Sequence, residues 1–344
     1  MTTYSVTREK NTNKAVYTLL TQQAGRPYMK TYLDHLGRTV KTESPGPSGI
    51  VFTYTEYNAR GQISRVILPY FESEIPRKGK WYEYDFARRL KRERLSNFIP
   101  SQQLITTYEY DGFTTSVTTP AGQTTSKTYN AIGDLLSVID PMGGKVEYRY
   151  AMPGGYVDTI IAPGNARTVI TYDSRGRQTS IHDPNAGIIR YTYNAFDQVL
   201  TQRDAQGKLT TNVYDTLGRL FKVHDADGYT TTYSYVPQGD PNVGRLQSVS
   251  RNNDYENTSH TYSYDSLGRV THFYDFSPVG GNFTTQYIYD TNGDLTSYIY
   301  PSGYQLNYEY DTNGFQIAIY EDSTNALVWK LDSVNAFCKS LAAR

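Results

Sequence analysis

One short motif recurs along this chain: a tyrosine, an aspartate or asparagine, two variable residues and a glycine. Intact copies begin at Tyr57, Tyr129, Tyr172, Tyr214, Tyr264, Tyr289 and Tyr310. Between Tyr129 and Tyr235 a tyrosine recurs about every 21 residues, and beyond that the spacing widens to about 21–29 residues. A period of this length is typical of repeat architectures, in which each unit packs mainly on its neighbours. We therefore expect one continuous array that serves as a scaffold, shell or binding surface.

Each repeat is interpreted as two strands and two turns. The Thr-rich run that ends at Tyr214 has the β-branched and aromatic composition of a strand. Asp215 and Gly218 then predict a type I turn closed by a residue with positive φ, and Asp225 with Gly228 predicts a second turn. The same reasoning assigns structural turn roles to Asp173 and Gly176, Asp215 and Gly218, Asp265 and Gly268, Asp290 and Gly293, and Asp311 and Gly314.

Tyrosines also occur in pairs with one residue between them, a spacing that places both rings on one face of a strand. We expect successive repeats to stack these rings into a ladder, since cross-strand aromatic pairs stabilise sheets. The predicted ladder consists of Tyr148, Tyr150, Tyr191, Tyr193, Tyr233, Tyr235, Tyr262 and Tyr264.

The predicted fold is all-β: a single array over residues 1–344, with about 12–13 degenerate repeats forming a curved antiparallel strip that is part of a shell. Two copies lack the glycine, which is replaced by Arg88 and by Asp197. Residues 65–105 break the rhythm, and a long loop or irregular insertion is expected there. Both ends resemble the middle of an array, so the chain is expected to be truncated at each end.

Composition excludes several partners. The chain has 34 basic and 34 acidic residues, whereas nucleic acid or an anionic membrane requires a basic excess. No apolar run is long enough to span a membrane, and no signal peptide is visible. The single cysteine, Cys338, cannot form an intrachain disulfide and is not interpreted as a nucleophile.

No catalytic or metal-binding motif is evident. His182–Asp183 and His224–Asp225 each place a histidine beside an aspartate, as catalytic dyads do. Both pairs occupy the same position of the repeat, before the second turn, so we interpret them as structural residues of the repeat. No His-x-x-x-His or Cys-x-x-Cys pattern occurs, and Asp225–Gly228 lacks the remaining ligands of a calcium loop. We therefore predict no catalytic residues, no metal and no cofactor, so the chain is not expected to be an enzyme.

The segments Tyr172–Arg177, Tyr214–Leu220 and Tyr264–Val270 give the motif its clearest form, Tyr-Asp-x-x-Gly-Arg followed by an apolar residue. With the Asp-x-x-Gly and Tyr-x-Tyr elements, this motif resembles the YD-repeat, or RHS, family from about residue 28 to residue 337. The resemblance implies a long β-strip that winds into a hollow shell around a toxic C-terminal segment, as in bacterial Rhs and Tc toxins. Related repeats occur in the teneurin adhesion receptors. The self-cleavage segment of toxin-releasing members has no counterpart here.

Two functional hypotheses follow. The first is a non-enzymatic segment of an RHS-like toxin shell, which encapsulates a C-terminal cargo lying outside this chain. The alternative is a cell-surface adhesion or glycan-binding module, because aromatic faces can stack on sugars. Both place the protein outside the cell or at the cell surface. Open sheet edges are expected to favour self-association.

Overall fold

The computed structural model describes residues 2–12, 15–74, 78–96, 103–151, 155–253, 255–334 and 340–343. The described residues form β-strands joined by turns, with one 3-10 turn at Pro163–Asn165. The chain divides into two compact units. In each, successive strands pair antiparallel, as β12 with β13 and β3 with β4 do. The predicted all-β fold of consecutive antiparallel hairpins is confirmed.

The first unit comprises residues 1–109, 117–123 and 287–344. Its strands are β1 (Thr2–Thr12), β2 (Ala15–Gln23), β3 (Met29–Leu33), β4 (Thr39–Gly46), β5 (Gly49–Tyr57), β6 (Ile63–Phe71), β7 (Gly79–Tyr84), β8 (Leu90–Ser96), most of β9 (Gln103–Asp111), the end of β25 (Gly281–Tyr289), β26 (Leu295–Ile299), β27 (Gln305–Tyr310), β28 (Gln316–Glu321), β29 (Leu327–Val334) and β30 (Ser340–Ala343).

The second unit comprises residues 110–116 and 124–286. Besides the start of β25, its strands are β10 (Thr114–Thr118), β11 (Thr124–Tyr129), β12 (Leu135–Ile139), β13 (Lys145–Tyr150), β14 (Val157–Ile161), β15 (Arg167–Tyr172), β16 (Gln178–Asp183), β17 (Gly187–Tyr193), β18 (Val199–Arg203), β19 (Leu209–Tyr214), β20 (Leu220–His224), β21 (Thr230–Tyr235), β22 (Leu246–Asn252), β23 (Asn257–Tyr264) and β24 (Val270–Ser277).

Residues 65–105 differ from the sequence-based expectation. Strands β6, β7, β8 and β9 occupy most of this stretch, and β6–β7, β7–β8 and β8–β9 pair in the ordinary antiparallel way. The glycine motif is degraded here, but the β-branched and aromatic composition that favours pleated structure is retained. Residues 75–77 and 97–102, in the two longer connections, lie outside the described residues.

Two prolines, Pro45 and Pro69, lie within described strands. Pro69 belongs to β6, and the pairing of β5 with β6 shifts register between Phe52 and Tyr54, opposite this proline. A bulge tolerates proline because it demands no ladder hydrogen bond from that residue. Pro45 stands near the end of β4, opposite Ile50.

The sheet has little buried interior. Within the described residues of the second unit, the buried hydrophobic side chains are Ile161 and Val236, each 7% exposed. Apolar residues such as Ile170, Ile181 and Ile189 stand opposite one another on β15, β16 and β17, but they are only half-buried. The described residues include no helix long and apolar enough to cross a membrane. Stability in this unit must therefore come largely from strand pairing and turn chemistry.

The two degenerate copies keep the turn that the glycine normally allows. Arg88 adopts φ of 66° and Asp197 adopts φ of 65°, close to the 77° of Gly218. The N–H of Arg88 still donates to the carbonyl of Asp85 at 3.1 Å. A Cβ at positive φ is strained, so these two positions carry a conformational cost.

We predict that Arg88→Gly stabilises the protein by about 0.5–1 kcal/mol. Relief of left-handed strain contributes roughly 1–2 kcal/mol, and the greater unfolded-state freedom of glycine offsets roughly 0.5–1 kcal/mol. Chemical denaturation of Arg88→Gly and of Arg88→Ala, which removes the side chain but keeps the strain, measures the effect. Equal stability of the two variants would contradict the strain argument.

Candidate functional site

The repeated turn is a closed hydrogen-bonded box around one carboxylate. In the copy that starts at Asp215, its N–H donates to the carbonyl of Arg219 at 2.8 Å, and its carbonyl accepts from Gly218 at 3.0 Å. Its Oδ1 accepts the backbone N–H groups of Leu217 and Arg219 at 2.9 and 2.8 Å. The register shift at Tyr214 and the φ of 77° at Gly218 make this a type I turn with a glycine bulge.

The same box is found at every turn that the sequence assigned. Each aspartate accepts the backbone N–H groups two and four residues ahead, and each glycine has φ between 77° and 94°. These residues are Asp173 and Gly176, Asp215 and Gly218, Asp265 and Gly268, Asp290 and Gly293, and Asp311 and Gly314. The second turns, such as Asp204–Gly207 and Asp225–Gly228, use the same backbone pattern.

The turn lowers the pKa of three of its carboxylates, those of Asp173, Asp215 and Asp265. The backbone N–H of Arg177 is the main cause of the lowered pKa of Asp173, and the backbone N–H of Arg269 acts in the same way on Asp265. For Asp215, desolvation is the largest single influence and raises the pKa. The hydrogen bonds and positive charge of Arg219 and the N–H of Leu217 together outweigh it, so the net pKa is lowered.

At turns that carry the arginine, such as the one at Asp215, an arginine and a tyrosine join the turn to the next repeat. The Nε of Arg219 donates to Oδ2 of Asp215 at 2.7 Å, while its guanidinium carbon lies 4.1 Å from the ring centroid of Tyr235. The hydroxyl of Tyr235 donates to the carbonyl of Leu220, the first residue of β20, at 2.8 Å. We call this arrangement of Asp215, Arg219 and Tyr235 the clamp. It ties a turn, the following strand and the next repeat together.

The clamp recurs in both units. Asp34, Arg38 and Tyr57 form it in the first, and Asp173, Arg177 and Tyr193 in the second. The tyrosine hydroxyl bond spans fifteen residues in most copies, with donor–acceptor distances of 2.6–2.9 Å. Its donors are Tyr150, Tyr172, Tyr193, Tyr214, Tyr235 and Tyr310.

Several turns that carry the tyrosine motif are packed, at Gly176, Gly218, Gly268 and Gly314, whereas the motif turn at Gly133 and several of the second turns are open. A Cβ placed on Gly218 would lie 3.2 Å from Nε2 of Gln198, whose amide donates to the carbonyl of Gly218 at 2.6 Å. A Cβ on Gly228, in a second turn, would meet no atom within 4 Å. Gly218 therefore serves two purposes: it permits positive φ and it leaves room for a side chain from the preceding turn.

The tyrosines do not stack as the predicted ladder. Among the described residues no ring pair joins two of the eight ladder tyrosines, although Tyr262 contacts Phe273 with centroids 5.3 Å apart. Two strands per repeat place equivalent tyrosines ~10 Å apart, beyond the range of ring pairs. Arginine fills the space between them. The second members of the pairs, Tyr150, Tyr193, Tyr235 and Tyr264, instead donate their hydroxyls to backbone carbonyls of earlier strands.

The histidines do not form the dyads that their sequence neighbours suggested. Nδ1 of His224 lies 2.9 Å from Oγ1 of Thr230, and the carboxylate of Asp183 accepts from Oγ1 of Thr168. His260 and Asp275, opposite each other on β23 and β24, lie 3.2 Å apart, Nε2 to Oδ1. No group of three potential metal ligands occurs in the part of the chain that the structure describes. Cys338 lies outside the described residues.

Sequence reasoning missed the role of the arginine four residues after the turn aspartate. The Gly-Arg dipeptide was visible in the motif, and an Asp–Arg pair four residues apart across a tight turn is a recognisable ion-pair signal. The contact of Arg219 with Tyr235, sixteen residues later, depends on strand pairing and was not visible in the local pattern.

Gly218→Val is predicted to destabilise the protein by about 1–3 kcal/mol through strain at positive φ. Gly228→Val, the matched change in an open turn, is predicted to cost less because no neighbour must move. Urea unfolding of the two variants gives the comparison, and an equal cost would refute the packing of the first turn.

Tyr235→Phe is predicted to cost about 0.5–1.5 kcal/mol, because it leaves the ring under Arg219 but removes the hydroxyl bond to Leu220. Tyr233→Phe is the control, since Tyr233 lies on the same strand and its hydroxyl has no partner among the described residues. Thermal or urea unfolding serves as the measurement. Indistinguishable losses would show that the hydroxyl bond contributes nothing.

Acid should weaken the turns. A carboxyl whose folded pKa lies below its unfolded value contributes stability that is complete above the unfolded pKa, near 3.8, and is lost as the pH falls through the folded pKa. We expect the melting temperature to fall below about pH 4. A triple variant with asparagine at Asp173, Asp215 and Asp265 should show a shallower fall, because asparagine keeps the Oδ1 acceptor, as Asn194 does. An unchanged acid slope would contradict this.

Comparison with known proteins agrees with this geometry. The family model described as RHS Repeat matches residues 172–209, which include the clamp of Asp173, Arg177 and Tyr193. A curated relative, double-stranded DNA deaminase toxin A of Burkholderia cenocepacia (strain H111), is 25% identical over 123 residues. That match covers 36% of this chain and 8% of the relative.

Solved structures share the fold over almost the full length. The crystal structure of TcdB2-TccC3 without its hypervariable C-terminal region matches 95% of this chain with a TM-score of 0.58 at 14% identity. A Photorhabdus luminescens Tc holotoxin pore matches 95% with a TM-score of 0.57, also at 14% identity. This chain spans 20% of each of those chains. The repeated turn, the match to the RHS Repeat model and the shared fold together confirm the predicted resemblance to the RHS, or YD-repeat, family.

Proposed function

We propose that this chain is a non-catalytic wall segment of an RHS-type toxin shell, and that the complete shell encloses a C-terminal cargo outside this chain. The observation that carries the proposal is the thin second unit. It forms successive hairpins with two buried hydrophobic side chains among its described residues, Ile161 and Val236. A globular unit of this size normally buries most of its apolar surface in its own interior. A wall that is one sheet thick need not do so.

The two faces of the sheet in this unit differ in chemistry. One face bears the half-buried row of Ile170, Ile181 and Ile189. The opposite face carries hydroxyl pairs, such as Thr171 with Ser180 at 2.8 Å and Thr192 with Thr201 at 2.6 Å. An apolar face can hold a non-native chain by non-directional burial, and a hydroxyl face keeps the outside of a shell wetted. This difference supports a container wall better than it supports a catalytic cleft.

The relatives support the toxin context. One is named a deaminase toxin, and another is solved without a hypervariable C-terminal region, so a variable segment follows the repeats in that protein. By analogy, the repeats here supply the container, and any enzymatic activity belongs to a C-terminal segment. Such a protein acts outside the producing cell, so delivery to the exterior is part of the proposal.

The proposal is tested on the full-length product of the source gene. We expect further repeats and a variable C-terminal region, and we expect that region to resist protease until the shell is unfolded with urea. Removing the region should leave the melting temperature of the repeats within a few degrees of the parent. Immediate cleavage of the C-terminal region in the native protein would overturn encapsulation.

Adhesion remains the alternative prediction, and it has a separate readout. Retention of the chain on a specific wall polysaccharide, abolished by substitution of exposed aromatic residues such as Tyr255 (89% exposed), would favour it. Self-association through open strand edges also stays a prediction. Light scattering tests it, and a clean monomer would contradict it.

A further inference from the structure

Several copies of the repeated turn lack the arginine, and Gln62, Asp134, Gln198, Asp294 and Phe315 stand at its position. Four residues after the turn aspartate, arginine stands in the clear copies, as Arg38, Arg89, Arg177, Arg219 and Arg269. In the copy that begins at Asp290, this position is Asp294, which is 8% exposed. This copy therefore has a second carboxylate, which is buried, at the position where the clear copies have a guanidinium.

A guanidinium from a distant part of the same unit fills the place. Nη1 of Arg26 donates to Oδ1 of Asp294 at 2.6 Å, across 268 residues of sequence. Arg26 follows Gly25, which has φ of 66° and lies in the turn between β2 and β3. A Cβ on Gly25 would lie 2.7 Å from the Cβ of Asn292, so only glycine allows this approach.

Arg26 takes a position equivalent to that of the missing arginine. Its Nη1 lies 3.4 Å from the point where a Cβ on Gly314, in the next turn, would stand. Nη1 of Arg38 has the same 3.4 Å relation to Gly61, and Nη1 of Arg219 lies 3.7 Å from the corresponding point on Gly244. The positive charge of Arg26 also acts on Tyr310, whose hydroxyl donates to the carbonyl of Leu295 at 2.9 Å.

We propose that Asn292, Asp294, Tyr310 and Gly314 form a socket for a Gly-Arg turn, and that Gly25–Arg26 occupies it as a latch. The latch supplies, from a distant part of the same chain, the guanidinium that this copy lacks. It therefore joins the β2–β3 hairpin to the repeats of β26–β28. The socket selects its occupant by two properties: the absence of a Cβ beside Asn292, and a planar cation that can reach Asp294. A second contact in the same unit, Phe71 with Leu331, also links early and late segments. The latch does not depend on the proposed cargo.

A double-mutant cycle tests the latch in the intact chain. Arg26→Gln and Asp294→Asn each remove one charge and leave a polar side chain, and Asp294→Asn also keeps the side-chain size. Hydrogen exchange of β2 and β3 is the readout, since these strands flank the docked turn. We expect each variant to speed exchange there by about threefold or more, and the double variant to be no faster than the faster single variant, because the two residues act as one pair. Unchanged exchange in both single variants, or effects that multiply in the double variant, would overturn the proposal.

A matched ion pair separates a latch from a generic charge effect. Nζ of Lys208 and Oδ1 of Asp227 also lie 2.6 Å apart, but their side chains are 54% and 64% exposed. Lys208→Gln and Asp227→Asn should leave exchange of β2 and β3 within about twofold of the parent, because exposed pairs contribute little. If these changes affect β2 and β3 as much as Arg26→Gln does, the effect is global and the latch is refuted.

Discussion

The hydrogen bond from a tyrosine hydroxyl to the carbonyl that opens an earlier strand is the contact on which this structure most depends. A hairpin by itself fixes only its two strands. The hydroxyl of Tyr235 reaches back fifteen residues to Leu220, so it ties the first strand of one repeat to the return strand of the repeat before it. The guanidinium of Arg219 covers the same ring and is anchored in turn by the carboxylate of Asp215. These three side chains thus add to the backbone pairing that joins β20 to β21.

This arrangement explains how a long sheet can persist with little buried interior. Each bond of the clamp is modest, about 1 kcal/mol for an ordinary hydrogen bond. Repetition along the array makes the sum large, and each repeat is stabilised chiefly by its neighbours. In a wall built in this way, the apolar face of the sheet is not buried in a hydrophobic core and can contact another chain. That property is what a container requires, and it links the chemistry of the turn to the proposed shell.

Much of this structure follows from the sequence, because the information is local. Asp215 and Gly218 define a turn through the residues between them, and the Thr-rich runs define strands through composition. The tyrosine contacts were not predictable in the same way. A tyrosine spacing of two suggests a shared face, but the partner of each ring depends on the strand that lies between repeats, and that strand brings arginine. The contact between Arg26 and Asp294 could not be predicted from a local pattern either, because 268 residues separate the two.

Degenerate copies show where a consensus stops being informative. Arg88 and Asp197 keep the positive φ of the glycine that they replace, so the fold imposes the turn on residues that disfavour it. Residues 65–105 were expected to be irregular because the motif fades, yet their strands pair in the normal register. The strands of a copy with a degraded motif still pair with the strands beside them. This pairing cannot be inferred when the sequence of each copy is read alone.

The most direct test of the account compares amide exchange at the two kinds of turn. The clamp closes the turns at Gly176 and Gly218, whereas the turns at Gly207 and Gly143 are open. In residue-resolved hydrogen exchange, the amides of Arg177 and Arg219 should exchange only when the whole sheet unfolds. Their free energy of opening should therefore be close to the global free energy of unfolding. The amides of Lys208 and Gly144, which donate to the carboxylates of Asp204 and Asp140 in the same way, should exchange faster through local opening. Equal protection on the two sets would show that the turn box alone holds the array and that the clamp does not.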